Sequence, residues 1–177
     1  MNLLAVYPGT FDPVHYGHMD IIQRSSYLFD RVLVAVYDKP LKSLALSYEE
    51  RVGLVRQAVI EMNLTNVQVE GYHGLTVDYC RKVGAQVVVR GLRVFSDFEF
   101  EFRMALANHR LAPEIQTVTL ITNEEHTFLS STTVREIASL GGDASTMVPP
   151  HVHAALKKHY AEAGDSGKAV PMTALRD

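Results

Sequence analysis

Tyr7-Pro8-Gly9-Thr10-Phe11-Asp12-Pro13-Val14-His15-Tyr16-Gly17-His18 is the stretch whose reading decides the fold. The apolar run Leu3-Leu4-Ala5-Val6 leads into it, and a helical pattern with Ile21, Ile22, Leu28 and Phe29 on one side leads out. This order predicts a strand, a glycine-containing turn and a helix. Such a turn aims backbone N–H groups and the positive end of a helix dipole at one spot, where an anion is favoured. His15 and His18 stand at the start of the helix, and Thr10 lies back towards the strand.

Working outward, Val32-Leu33-Val34-Ala35-Val36-Tyr37 is nearly continuous in apolar residues, as expected of a parallel strand covered on both faces. Asp38 to Leu46 is a loop carrying Lys39, Pro40 and Lys42. Ser47 with Glu50 reads as a capping box opening a helix that places Val52, Val55, Val59 and Met62 at helical spacing. A short strand follows over Asn66–Glu70, then a helix over Leu75–Val83 closed by Gly84. Gln86-Val87-Val88-Val89 is a fourth strand, ending in the loop Arg90-Gly91-Leu92-Arg93. A longer helix over Asp97–Leu111 carries Phe98, Phe102 and Leu106 in one stripe and stops near Pro113. Ile115–Ile121 is a fifth strand, Thr122–Leu129 a polar loop and Ser130–Leu140 a helix. Within that helix Thr133 and Glu136 form a possible capping box. A last helix follows Pro149-Pro150, and the chain from Asp165 has no periodicity.

Alternation of strands and helices at this spacing predicts an α/β fold: one domain over residues 1–164, with a doubly wound, five-stranded parallel sheet and C-terminal helices. Residues 165–177 are expected to form a flexible tail. Ligands of such sheets bind beyond the carboxyl ends of the strands. That rule gathers Thr10–His18, Lys42, Gly74–Thr76, Arg90–Arg93 and Thr122–Thr132 on one face.

Composition narrows the function. The 177 residues are 47% apolar, enough for one core, and the net charge is -3 with no basic block, which argues against nucleic acid as the main partner. The single cysteine, Cys80, excludes an internal disulfide and reads as a small buried side chain. No apolar run approaches the ~18 residues of a membrane span, and the N-terminus lacks a signal-peptide pattern, so a cytoplasmic protein is expected. His15 and His18 with Asp12 are a poor metal set: the spacing is not that of His-Glu-x-x-His, and no metal site is expected. The four hydroxyls of Ser130-Ser131-Thr132-Thr133 exceed what one helix cap needs, which favours phosphate contact at that N-terminus. Arg90 and Arg93 flank a glycine at a strand end, where guanidinium forks clamp phosphate oxygens.

Gly9-Thr10-Phe11-Asp12-Pro13 with His15-x-Gly17-His18 resembles the signature of the nucleotidyltransferase superfamily, and Ser130–Arg135 resembles its second phosphate motif. Within the superfamily the full set, from Leu3 to about Ala161, is most similar to the enzymes that join ATP to 4′-phosphopantetheine, giving dephospho-coenzyme A and pyrophosphate. The resemblance implies a Rossmann-like nucleotidyltransferase fold. It implies a catalytic set of Thr10, His18, Lys42 and Arg93, with Thr10 touching both substrates. ATP would meet Phe11, His18, Gly91, Leu92, Arg93 and Glu101, and further along His126, Thr127, Phe128, Leu129, Ser130, Ser131 and Thr132. Phosphopantetheine would be held by Thr10, Lys42, Thr76 and Arg90. The resemblance also implies a homo-hexamer with coenzyme A as feedback ligand. Mg2+ would arrive with ATP, keeping several waters and needing no protein cage. The alternatives are a sister nucleotidyltransferase acting on nicotinamide mononucleotide or a phosphorylated small alcohol, and a non-catalytic nucleotide sensor on the same fold.

Overall fold

The computed structural model describes residues 3–40 and 43–165. The expectation for Lys42, and that of a tail beyond residue 165, lie outside the described residues. In chain order the elements are β1 (Leu4–Gly9), α1 (Tyr16–Leu28), β2 (Arg31–Tyr37), α2 (Tyr48–Glu61), β3 (Val67–Tyr72), α3 (Thr76–Val83), β4 (Val87–Leu92), α4 (Phe95–Leu111), β5 (Gln116–Ile121), α5 (Ser131–Ser139) and α6 (Pro150–Asp165). The five strands are parallel, in the order β3-β2-β1-β4-β5. The order reverses between β1 and β4, so the crevice of this doubly wound sheet opens there.

Both faces of the sheet are covered, which is why the central strands need valine at almost every position. Ala5, Tyr7, Val32, Val34, Val36, Val87 and Val89 pack on one side with Ile21, Ile22, Val55 and Val134. Leu4, Val6, Leu33, Ala35 and Val88 pack on the other with Val77, Cys80 and Ile115. Each fully buried Val or Ile contributes about 1.5–3 kcal/mol, so the middle of the sheet is its most strongly held part.

The register decides where the sheet splits. β1 pairs with β2 as far as Gly9↔Val36, and β4 pairs with β5 as far as Leu92↔Ile121. Between β1 and β4 the pairing covers only Ala5↔Val87 and Val6↔Val88. Beyond Val6 the two central strands diverge, and the Arg90 guanidinium fills the gap by donating to the Pro8 carbonyl at 3.1 Å.

Several sequence expectations are corrected. Gly9, Tyr72 and Arg90–Leu92 belong to strands rather than loops, because each outer ladder continues after the central one has ended. Leu28 is 59% exposed: the chain leaves the helix at Phe29, which turns into the core and leaves Leu28 outside. The stripe on α4 does not pack inward. Against the described residues α4 buries none of its side chains, and Phe98, Phe102 and Leu106 are about half exposed. The cap of α5 is Ser130, whose Oγ accepts from the Thr133 amide at 3.0 Å, so Thr133 is the third helical residue and caps nothing itself. By contrast Ser47 and Glu50 form the expected box, at 3.2 and 2.8 Å, and Gly84 closes α3 at φ 73°. α6 runs one residue into the expected tail, to Asp165.

Candidate active site

A cavity of about 560 Å³ lies in the crevice between the carboxyl ends of β1 and β4. Its wall brings together Thr10, Phe11, His18, Arg90, Gly91, Arg93, Glu101, Ser130, Ser131 and Thr132 from four separate stretches of chain. It also includes Tyr7, His15, Asp97 and Thr122. Thr76, Leu92, His126, Thr127, Phe128 and Leu129 are not among its lining residues. Thr76 is occupied by a 3.0 Å hydrogen bond with the Tyr72 hydroxyl. Leu92 and Leu129 contribute carbonyls instead: the first accepts from the Thr122 amide at 2.9 Å, the second from Arg93 at 2.8 Å. Phe128 is 62% exposed beside Asn123, Glu124 and Glu125, outside the cavity.

The turn after β1 is built around aromatic contacts. Phe11 adopts a positive φ of 51° and tucks its ring back over the strand end. A Cβ at Gly9 would sit 2.8 Å from that ring, so any other residue there would push the ring out of its place. Phe11 meets the His18 ring edge-on at 5.0 Å, and His15 stacks on the other side of His18 at 3.7 Å. The His15 amide donates to His18 Nδ1 at 3.3 Å. An Nδ1 that accepts a hydrogen bond carries no proton, so the ring proton of neutral His18 sits on Nε2. His15 itself is buried, and burial, reinforced by the positive fields of Arg93 and His126, pulls its pKa down to about 3. Burial likewise pushes the Tyr7 phenol far above its ordinary value.

Both arginines of the site are held by acids from α4. Arg90 makes a two-pronged bond to Glu101, 2.7 Å on each prong, besides its bond to the Pro8 carbonyl. Arg93 donates to Asp97 from Nε at 3.1 Å and from Nη2 at 3.2 Å, and to the Leu129 carbonyl from Nη1. In each guanidinium three of the five N–H groups are therefore engaged, and its plane is fixed. The resemblance gave Glu101 to ATP; here its carboxylate holds Arg90.

α5 closes the far wall. The Ser130 hydroxyl caps the helix and shares a 2.9 Å hydrogen bond with Thr133, while the Ser131 hydroxyl donates to the Pro13 carbonyl at 2.9 Å. Those hydroxyls are largely spent on structure. The amides of Ser131 and Thr132 lie in the first helical turn, where no intrahelical acceptor exists, and the dipole is positive there.

Behind the wall lie charges that the sequence reading left out of the site. Arg51 is fully buried and donates to the carbonyls of Thr10 and Tyr37, each at 2.7 Å, and of Asp38 at 3.1 Å. It thereby ties together the carboxyl ends of β1 and β2. The cost of burial lowers its pKa. Asp20 accepts from the Asn123 side chain at 2.7 Å and from its amide at 3.2 Å, fixing the chain after β5. Asp97 lies four residues after Arg93, but Arg93 precedes α4, so helical spacing does not announce the pair. Arg51 and Asp20 also resemble the family at their positions, but nothing local gives their roles, because their partners are distant in the chain. Among the described residues no three His, Cys, Asp or Glu side chains gather as a metal site. No described helix is long and apolar enough to cross a membrane.

A parallel sheet split at its switch point, with a histidine donor, two fixed guanidinium groups and a helix N-terminus around the opening, defines a nucleotidyltransferase. Residues 6–137 match the family described as cytidylyltransferase-like, which covers most of the chain. A phosphopantetheine adenylyltransferase from Methylococcus capsulatus is 51% identical over 164 residues, 93% of this chain and the whole of that protein. One from Roseiflexus sp. is 54% identical over 157 residues, 89% of this chain and 97% of that protein. A solved structure from Vibrio parahaemolyticus, provisionally designated a nicotinate-nucleotide adenylyltransferase, superposes with a TM-score of 0.68 at 26% identity, covering 89% of this chain and 99% of that one. The chain belongs to the phosphopantetheine adenylyltransferase family.

Proposed function

We propose that this chain transfers the adenylyl group of ATP to 4′-phosphopantetheine, giving dephospho-coenzyme A and pyrophosphate. The observation that carries the reading is the convergence of Thr10, His18, Arg90, Arg93 and the amides of Ser131 and Thr132 on one cavity.

The chemistry suits this donor set. A phosphomonoester has its second pKa near ~6, so the attacking oxygen is already ionised at neutral pH and needs no general base. That oxygen forms a bond to the α-phosphorus, and the bond from that phosphorus to the bridging oxygen breaks, releasing pyrophosphate. What the protein supplies is alignment of two mutually repelling anions and stabilisation of the charge that develops. His18 offers Nε2–H to the α-phosphate. Arg93 and the α5 amides take the β- and γ-phosphates, and Arg90 takes the acceptor's phosphate, using the N–H groups that the acids and the Pro8 and Leu129 carbonyls do not engage. Lys42 and Thr76 complete the acceptor side in this reading. Gly91 and Leu92 border the adenosine, with the stretch from His126 to Leu129 beyond them.

Magnesium enters as part of the ATP complex. The acids lining the cavity, Asp97 and Glu101, are paired with arginines, so the donor set fits a nucleotide-borne cation rather than a resident one. Coenzyme A, which contains the product's groups, competes for the same cavity. The half-exposed phenylalanines of α4 suit burial between copies of the chain in a homo-hexamer, and the ATP-dependent reaction belongs in the cytoplasm.

Pyrophosphate release tests the reading: ATP and Mg2+ are supplied with 4′-phosphopantetheine, nicotinamide mononucleotide or glycerol 3-phosphate. Release with the first alone is expected. Release with either of the others at a comparable kcat/KM, or with none, refutes it.

A further inference from the structure

The corner after β1 contains one carboxylate to which the proposed chemistry gives no task. Asp12 is 1% exposed, and both of its carboxylate oxygens have partners. Its Oδ1 accepts from the Leu46 amide at 2.9 Å, and its Oδ2 from the Ala45 amide at 3.0 Å. The Arg135 guanidinium pairs with Oδ2 at 3.3 Å and also donates to the Asp12 backbone carbonyl. Arg135 belongs to α5, whose first turn closes the cavity, and its side chain is 14% exposed. Asp12 itself lies between Phe11 and His15, the two rings that hold His18.

We propose that Asp12 and Arg135 are positioning residues that latch the α5 phosphate wall and the loop after β2 onto the His18 turn. Without that latch the segments are tied to the turn by single bonds, such as that from Ser131 to the Pro13 carbonyl. With it, one buried carboxylate fixes two loop amides, and one guanidinium fixes both the carboxylate and the backbone of the same residue. A buried carboxylate deprived of its cation is strongly disfavoured, so a change on α5 is felt at Ala45 and Leu46, which Asp12 links to Arg135. Displacements of about 1 Å at a phosphoryl-transfer centre are enough to lower turnover about 100-fold.

The inference rests on the proposed function, and its test reads the latch apart from activity. Hydrogen exchange is followed in the full chain without substrates, in wild type, Arg135→Met and Arg135→Lys. In the Met variant, exchange over residues 43–47 and 131–134 should accelerate about tenfold, while β1 and β2 keep their protection. Its kcat should fall about 10- to 100-fold, and the Lys variant should recover most of both effects. Unchanged exchange over 43–47 overturns the proposal, and so does acceleration spread evenly across the sheet. If the Met variant does not fold, Arg135→Gln, which also removes the cation, decides by the same contrast between local and uniform acceleration. A wild type that releases pyrophosphate while this loop ignores Arg135 overturns the latch alone; one that releases none overturns the function beneath it.

Discussion

His18 offers the sharpest test of the proposed chemistry, because that proposal gives its two ring nitrogens different tasks. Nδ1 accepts from the His15 amide at 3.3 Å, and in the proposed reaction Nε2–H is the donor to the reacting phosphate. Removing one donor that acts chiefly in the transition state costs about 3–4 kcal/mol, so His18→Ala should lower kcat by ~10²–10³ with KM values nearly unchanged. The ring is also packed between Phe11 at 5.0 Å and His15 at 3.7 Å, and its loss should destabilise the fold by about 1 kcal/mol. A thermal melt separates that effect from catalysis. Glutamine carries its amide about as far from the backbone as Nε2, whereas asparagine carries it only as far as Nδ1. His18→Gln should therefore regain about tenfold over alanine, one hydrogen bond's worth, and His18→Asn nothing. The assay is pyrophosphate release at saturating ATP and 4′-phosphopantetheine, with rapid quench to isolate the chemical step. Alanine turning over within threefold of wild type, or asparagine matching glutamine, refutes the assignment.

Four further outcomes are expected. Arg90→Ala should weaken phosphopantetheine binding and leave ATP affinity nearly intact, which titration calorimetry with each ligand separately decides. His15 has a folded pKa of about 3 against ~6.5 in the unfolded chain, so the unfolded state takes up the proton first. Its contribution to stability is complete above pH ~6.5 and is lost as the pH falls towards 3, at about 1.4 kcal/mol per pH unit; urea melts of His15→Asn should show a shallower acid slope. Arg51→Met should destabilise by about 3–5 kcal/mol in chemical denaturation, since it strands three strand-end carbonyls and removes a buried cation. Cys80 is fully buried with its thiol pushed up to about 11, so a thiol reagent at pH 8 should titrate it only after denaturant is added.

Much of this protein is legible in its sequence because the signals are local. Unbroken valine runs mark strands covered on both faces, and Ser47 with Glu50 marks a helix start. The glycine- and histidine-bearing turn marks an anion corner, and the strand-end rule brings Arg90 and Ser130 to the same rim. Strand ends are less legible, because a strand stops where its partner's ladder stops, and the partner is distant in the chain. The α4 stripe shows the same limit from the other side: periodicity at Phe98, Phe102 and Leu106 announces a helix with an apolar face, but not what that face meets.

Tertiary structure alone decided which charges line the cavity and which lie behind its wall. Arg90 and Arg93 look alike in sequence, and only the fold shows each fixed by an acid of α4. Asp12 and Arg135 are 123 residues apart, and no propensity or spacing links them. Local chemistry fixes what each segment becomes, since a turn or a helix start needs only its neighbours. The divergence of β1 and β4, and the buried charges set behind it, depend on how separate segments pack once the chain has closed on itself.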